Sequence, residues 1–352
     1  MKPIRLLMVI FWVLLIFGAL YLPNLKWIAR REESINVFCW GDVIDPDVVA
    51  DFQRETGIKV HLNYYSSNDE LIVKMKATRG YGYDLIAPSD FAVAKLVKFD
   101  LLKRLDRSKL TFWNELNPLL LGHSFDPNNA YSVPFEWEVF GLGYDLEFFK
   151  ERPFSPSWEM LFKPQGYQVA MLNNPGDSVL ISSLYLFGKS DLLTQAEFEK
   201  VRQLLLKQKP YVEAYADFRT SYFLATKNCP VVVTSTPYIW RLKRTFPFLK
   251  FAIPKEGTYI SIENFALPLE SEKEELVYTF LNYLYTKQSL ERHFETFGNF
   301  PAILRAVKKL EEDPDAQAIL FTTKEEFKKF HLFQELVPQK ELIPLWVELK
   351  SY

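Results

Sequence analysis

Residues 35–60 read INVFCWGDVIDPDVVADFQRETGIKV, and the reading of this stretch decides the fold. Ile35–Trp40 is a short apolar run bounded by Gly41 and Asp42, which predicts a strand. Asp45 can cap a helix that has Pro46 in its first turn; Val48, Val49 and Phe52 share one face before Gly57 stops it. Ile58–Tyr65 then alternates as a second strand. Strand–helix–strand units of this size imply parallel sheets with right-handed crossovers. Ligands on such sheets bind outside the carboxyl ends of the strands, here Trp40–Val43.

The pattern continues outward. Ser67-Asn-Asp-Glu70 has capping-box spacing and opens a helix whose apolar positions are Leu71, Ile72 and Met75. Asp84–Ala87 predicts a third strand ending at Pro88-Ser89, which brings Ser89–Phe91 to the same strand-end site as Trp40–Val43. A second series follows Pro134, with strands over Val139–Tyr144, Gln168–Leu172, Val231–Ser235 and Phe251–Pro254 and helices between them. Glu274–Tyr285 and Ser289–Thr296 read as helices, and the tail from Ala316 reads as helical, broken by Pro338 and Pro344. Two sheet-building series in a chain of 352 residues predict an α/β protein of two lobes.

The first 31 residues differ in kind. Lys2 and Arg5 precede an uncharged run from Leu6 to Pro23, at the lower edge of a membrane-spanning length and above a usual signal core. No small-x-small cleavage site follows, so an uncleaved anchor and a cleaved signal both stand. Lys26, Arg30 and Arg31 flank the far side, and charge does not set the orientation. The remainder has the balance of a water-soluble protein, and a formal net charge of −2 gives no footing for nucleic acid. Cys39 and Cys229 lie in apolar runs and read as buried free thiols; with four scattered histidines they make no metal pattern.

INVFCWGDVIDPDVVADFQRETGIKV, YGYDLIAPSDFAV (81–93), SFDPNNAYSVPFEW (124–137) and ENFALP (263–268) resemble, in the same order, the periplasmic spermidine/putrescine-binding proteins of ABC transporters. The likeness runs from Ile35 to the C-terminus, strongest over 35–145 and weak between 180 and 255. It implies a two-lobed periplasmic-binding-protein fold whose discontinuous lobes are joined by hinge strands, with the ligand in the cleft. One lobe would comprise 32–138 with 263–312 and the other 139–262 with 313–352, after a leader at 1–31. It also implies a polyamine ligand, permease and ATPase partners, a monomer, no cofactor, and a place in the periplasm or on the outer face of the membrane.

A polyamine is a flexible hydrocarbon carrying ammonium groups, so its site needs carboxylates for the charges and aromatic faces for the stem. Carried over by the resemblance, Trp40 stands at an aromatic wall, Ser89 at a ligand-contacting serine, and Phe91 where a tyrosine is usual. Asp177 matches a key carboxylate and Glu263 an aspartate on the opposite side. Asp177 also suits a helix N-cap after Pro175-Gly176, and Glu263 an exposed strand end. Asn174 falls where a second aspartate is usual, Val43 replaces an aromatic, and two tryptophans are replaced by Thr234 or Ser235 and by Ser261. Tyr238, Trp240 or Tyr259 could fill those gaps, Asp217 could restore the charge, and Trp137, between Glu136 and Glu138, is a further wall or plain lobe packing. In an open cleft both carboxylates are expected to be hydrated and to matter little to folding.

No nucleophile elbow, P-loop, zinc signature or acid/base pair suggests an enzyme. A binder of another organic cation, sugar or metal complex stays open, as does a membrane-tethered sensor of the same fold.

Overall fold

The computed structural model describes residues 8, 10–18, 20, 33–217, 219–304 and 306–351. Most of the expected leader lies outside the described residues; residues 10–18 are helical and largely exposed. Among the described residues no helix is long and apolar enough to cross a membrane.

The opening unit forms as its residues dictate. β1 (Ser34–Cys39) pairs in parallel with β2 (Lys59–Tyr64) and with β3 (Leu85–Ile86). Between β1 and β2, the Asp45 carboxylate accepts from the Asp47 amide at 2.8 Å, Pro46 begins the helix Pro46–Thr56, and Gly57 ends it at φ 77°. Val48, Val49 and Phe52 are buried beneath. The Ser67 hydroxyl caps the helix Asn68–Thr78, but Glu70 bonds Ser66 and not its cap, so the expected box is half made.

β4 (Ser132–Asp145) is the longest strand and the joint of the molecule. Ser132–Val139 pairs antiparallel with β9 (Thr258–Ala266); Phe140–Tyr144 then pairs with β7 (Val231–Ser235), and Leu142–Asp145 with β8 (Leu249–Ala252). β5 (Val169–Leu172) lies parallel to β7 and to β6 (Val212–Ala216). The short β10 (Phe300–Pro301) joins β4, and β11 (Phe330–Leu332) joins β9. The strand path is β2-β1-β3-β9-β4-β7-β5-β6. Parallel units, as expected from the strand–helix–strand pattern, thus flank an antiparallel centre formed by β4 and β9. Long strands running in opposite senses need no helical crossover between them.

Two main cores flank this joint. The larger draws chiefly on residues 35–139 and 260–327. The second draws on 142–259 and 336–349. The chain therefore leaves the first core after Phe327, later than the expected residue 312. Both cysteines are free and buried, with their thiols pushed up to about 12, chiefly by burial. The tail corrects a further expectation. Pro338 precedes the helix Gln339–Lys350 and Pro344 sits inside it without ending it.

Candidate functional site

A cavity of about 630 Å³ lies where the carboxyl ends of β1 and β3 face the start of the helix Pro175–Phe187 and the face of β9. Trp40 leaves β1 into this space with its ring 4.7 Å from that of Tyr65. The helix Asp90–Lys98 begins on Ser89, yet the Ser89 hydroxyl makes no cap bond and has no partner, although the residue is 4% exposed. Phe91 stands edge-on to Phe333 at 5.8 Å, with the Lys95 ammonium 4.1 Å above its ring.

The opposite wall is a helix start. Asn174 caps it, its side-chain oxygen accepting from the Gly176 amide at 2.7 Å. The capping alternative for Asp177 is thereby removed: Asp177 lies in the first turn, buried, and lines the cavity. Burial pushes its carboxyl up to about 7, with the Tyr259 hydroxyl beside it opposing the rise. That hydroxyl, on a residue 1% exposed, closes no hydrogen bond of normal geometry.

The β4–β9 ladder supplies the floor. Its register sets Glu136 opposite Glu263, Glu138 opposite Ser261 and Val139 opposite Ile260. Alternation then sends Glu136, Glu138 and Phe140 to one face together with Glu263, Ser261 and Tyr259. Phe140 and Tyr259 stack at 4.4 Å, and Phe140, Tyr259 and Ser261 line the cavity. The other face carries buried Trp137, Val139, Ile260 and Ile262.

The polar half of the floor is acidic. The Ser261 hydroxyl donates to Glu263 at 3.2 Å, while the second Glu263 oxygen is buried without a partner. Burial, then the charges of Glu136, Asp90, Glu138 and Asp42, push the Glu263 carboxyl well above the usual range. Glu138 is pushed up to about 7 by burial, with Asp42, Glu136 and Asp177 adding to the rise; Ser235 lies beside it and opposes. Asp90 is likewise pushed up to about 7 by burial, although the Ile262 amide donates to it at 3.2 Å. Burial also raises Glu136, against which His293 is paired. Asp90, Glu136 and Asp177 are buried and Glu138 and Glu263 half-buried, which corrects the expectation of fully hydrated groups.

The structure thus brings Trp40, Ser89, Phe91, Asn174 and Asp177 around one cavity and sets Glu263 in the adjoining floor. Trp137 faces the core, against Phe300 at 5.6 Å and Phe327 at 6.2 Å, because its odd position on β4 points away from Glu136 and Glu138. Asp217 is exposed beyond the end of β6 and does not line the cavity. Of the candidate substitutes, Tyr259 lines the cavity and Trp240 is buried against Phe300. Tyr238 lines a second cavity of about 500 Å³ with Asp42, Arg219 and Arg241. Glu138, beside Ser261 of the cavity lining, was not singled out by sequence reasoning. The alternation of Phe135-Glu136-Trp137-Glu138-Val139 was the signal that both glutamates share the face opposite Trp137. Among the described residues no group of three or more His, Cys, Asp or Glu is placed to hold a metal ion.

Comparison with known proteins adds family to geometry. A family model described as bacterial extracellular solute-binding protein matches residues 47–318. The putrescine-binding periplasmic protein SpuD of Pseudomonas aeruginosa is 29% identical over 348 residues, 92% of this chain and 93% of that protein. The spermidine/putrescine-binding periplasmic protein of Salmonella typhimurium is 30% identical over 317 residues, covering 87% and 90%. A solved structure described as a putative spermidine/putrescine ABC transporter from Listeria monocytogenes superposes with a TM-score of 0.76 at 25% identity, covering 91% of this chain and 99% of that one.

Proposed function

The chain belongs to the bacterial extracellular solute-binding protein family, and from that premise we propose that it captures a polyamine between its lobes and delivers it to an ABC permease and ATPase, working outside the cytoplasmic membrane. The observation that carries the reading is the acidic cavity. Asp177, Glu138 and Glu263 are desolvated without a basic partner, beside the aromatic faces of Trp40, Phe91 and Tyr259. Desolvated anions want a cation, and the aromatic walls suit one with a hydrocarbon stem.

Magnitudes agree. A charged hydrogen bond contributes about 1.5–3 kcal/mol and a desolvated cation–π contact about 2 kcal/mol. Two of each approach the about 8 kcal/mol of micromolar binding. Trp40, Ser89, Phe91, Asn174, Asp177 and Glu263 are the proposed contacts. The lobes proposed to close on the ligand are 32–138 with 263–327 and 139–262 with 328–352, the last crossing moved from residue 312 because Ala316, Ile319, Leu320 and Phe327 pack in the first core. The names of the relatives support polyamines. Ser261, in place of an aromatic wall, favours as a second reading an organic cation of different bulk. The role is binding, without chemistry on the solute.

A thermal-shift screen with putrescine, cadaverine, spermidine, spermine, amino acids and sugars, followed by titration calorimetry, tests this. Stabilisation confined to the amines is expected. Stabilisation by a sugar or neutral amino acid, with none by any amine, overturns it.

A further inference from the structure

Alternation along β4 sends Trp137 and Val139 into the core and Glu136, Glu138 and Phe140 to the opposite face. Phe140 lines the cavity, and so does Ser261, the residue opposite Glu138. Glu138 does not itself line the cavity but stands beside it, on the same face of β4 as Phe140 and two strand residues, about 6.8 Å, along. The charges of Asp42, Glu136 and Asp177 all act on Glu138 through space. Glu136 has His293 as its partner; among the described residues no ion pair is made by Glu138.

A second observation points to a ligand. Beside this floor Ser89, 4% exposed, has a hydroxyl with no partner, and the hydroxyls of Ser235 and Tyr259, each 1% exposed, close no hydrogen bond of normal geometry. Ser235 lies beside Glu138 and Tyr259 beside Asp177. Buried hydroxyls and carboxylates are ordinarily satisfied, and cationic nitrogens, each with several N–H donors, would satisfy the two carboxylates separately.

We propose that Glu138 is a ligand-binding residue, receiving with the Ser235 hydroxyl a second cationic nitrogen of the solute, distinct from the nitrogen that faces Asp177. This rests on the polyamine reading and deepens it. The solute carries at least two cationic nitrogens separated by a few methylenes, and its second charge is read by β4, on which neither Asp177 nor Glu263 lies.

Titration calorimetry at pH 7.5 with putrescine and spermidine, on the full chain and on Glu138→Gln, Glu138→Ala and Asp177→Asn, tests it alongside melting curves without ligand. Glu138→Gln is expected to weaken spermidine binding at least about thirtyfold, as for the loss of one partner of a desolvated charge pair. The same variant should raise the unliganded melting temperature, because a desolvated, repelled charge is gone; a structural carboxylate would lower it. Affinity within about threefold of the parent in both Glu138 variants, with Asp177→Asn impaired, overturns the proposal and leaves the polyamine reading intact. A parent that binds no amine overturns both. Lowered melting with unchanged affinity assigns Glu138 to structure and also overturns the proposal.

Discussion

Asp177 sits one position past Gly176 in a helix start that Asn174 already caps, so its carboxylate is left to face Tyr259 across the cavity. An anion desolvated this far with only a hydroxyl beside it holds its proton more tightly than it would in water. Two outcomes follow. Asp177→Asn should weaken polyamine binding at least about thirtyfold and raise the unliganded melting point at pH 8, on the order of 2 °C. Calorimetry and melting curves measure both halves, and a lowered melting point would mean that the carboxylate props the helix. The pH dependence has a definite sign. Carboxyls raised from their ordinary values near 4 to about 7, as in Asp177, Glu138 and Asp90, bind more protons folded than unfolded. Their contribution to stability is greatest at acid pH and falls as pH rises from about 4 to about 7. Ligand affinity should run the other way, increasing up to about pH 7 with protons released on binding. Equal binding heats in phosphate and Tris buffers would show that no proton leaves.

At the scale of elements, β4 carries the argument because one strand serves both cores and the cavity floor. Its middle tolerates no added atom. A Cβ on Gly141 would stand 2.6 Å from the Phe251 ring and 2.7 Å from the Ala252 carbonyl oxygen. Gly141→Ala should cost about 1–3 kcal/mol, read from the urea midpoint; an unmoved midpoint would mean that β8 yields freely. β4 also marks the limit of sequence reading. The local signals at Asp45-Pro46, Ser67 and Gly57 named helix ends correctly because a cap is settled within a few residues. Val231–Ser235 was legible as a strand for its β-branched run. What the chain could not announce was the partner of each strand. The antiparallel β4–β9 register joins residues more than a hundred positions apart, and it decides that Trp137 is core and Glu138 is floor. Trp40, Ser89, Phe91, Asn174 and Asp177 were legible through the family resemblance, and the cavity gathers them; Glu138 needed the register. The loss of two tryptophans is partly met by Tyr259, whose stacking on Phe140 no local pattern encodes.

For the molecule as a whole, the segment after β11 touches the helix after β3 through Phe91 against Phe333 and Lys95 against Glu335 at 3.2 Å. An exposed ion pair contributes about 0–1 kcal/mol, so these contacts can part without unfolding either core. A ligand bridging Trp40 and Asp177 should make the particle more compact, read as a smaller radius of gyration in small-angle scattering. Identical profiles with and without saturating amine would rule out closure. The interleaving of the cores has a further consequence. Residues 35–139 await 260–327, and residues 142–259 await 336–349. A chain emerging from the ribosome therefore cannot complete either core until nearly all of it has been synthesised, and its long-range strand pairings are intrinsically slow to form. The nascent protein stays threadable through most of its synthesis, the state a translocation channel accepts: one core waits for residue 327 and the other for the final helix.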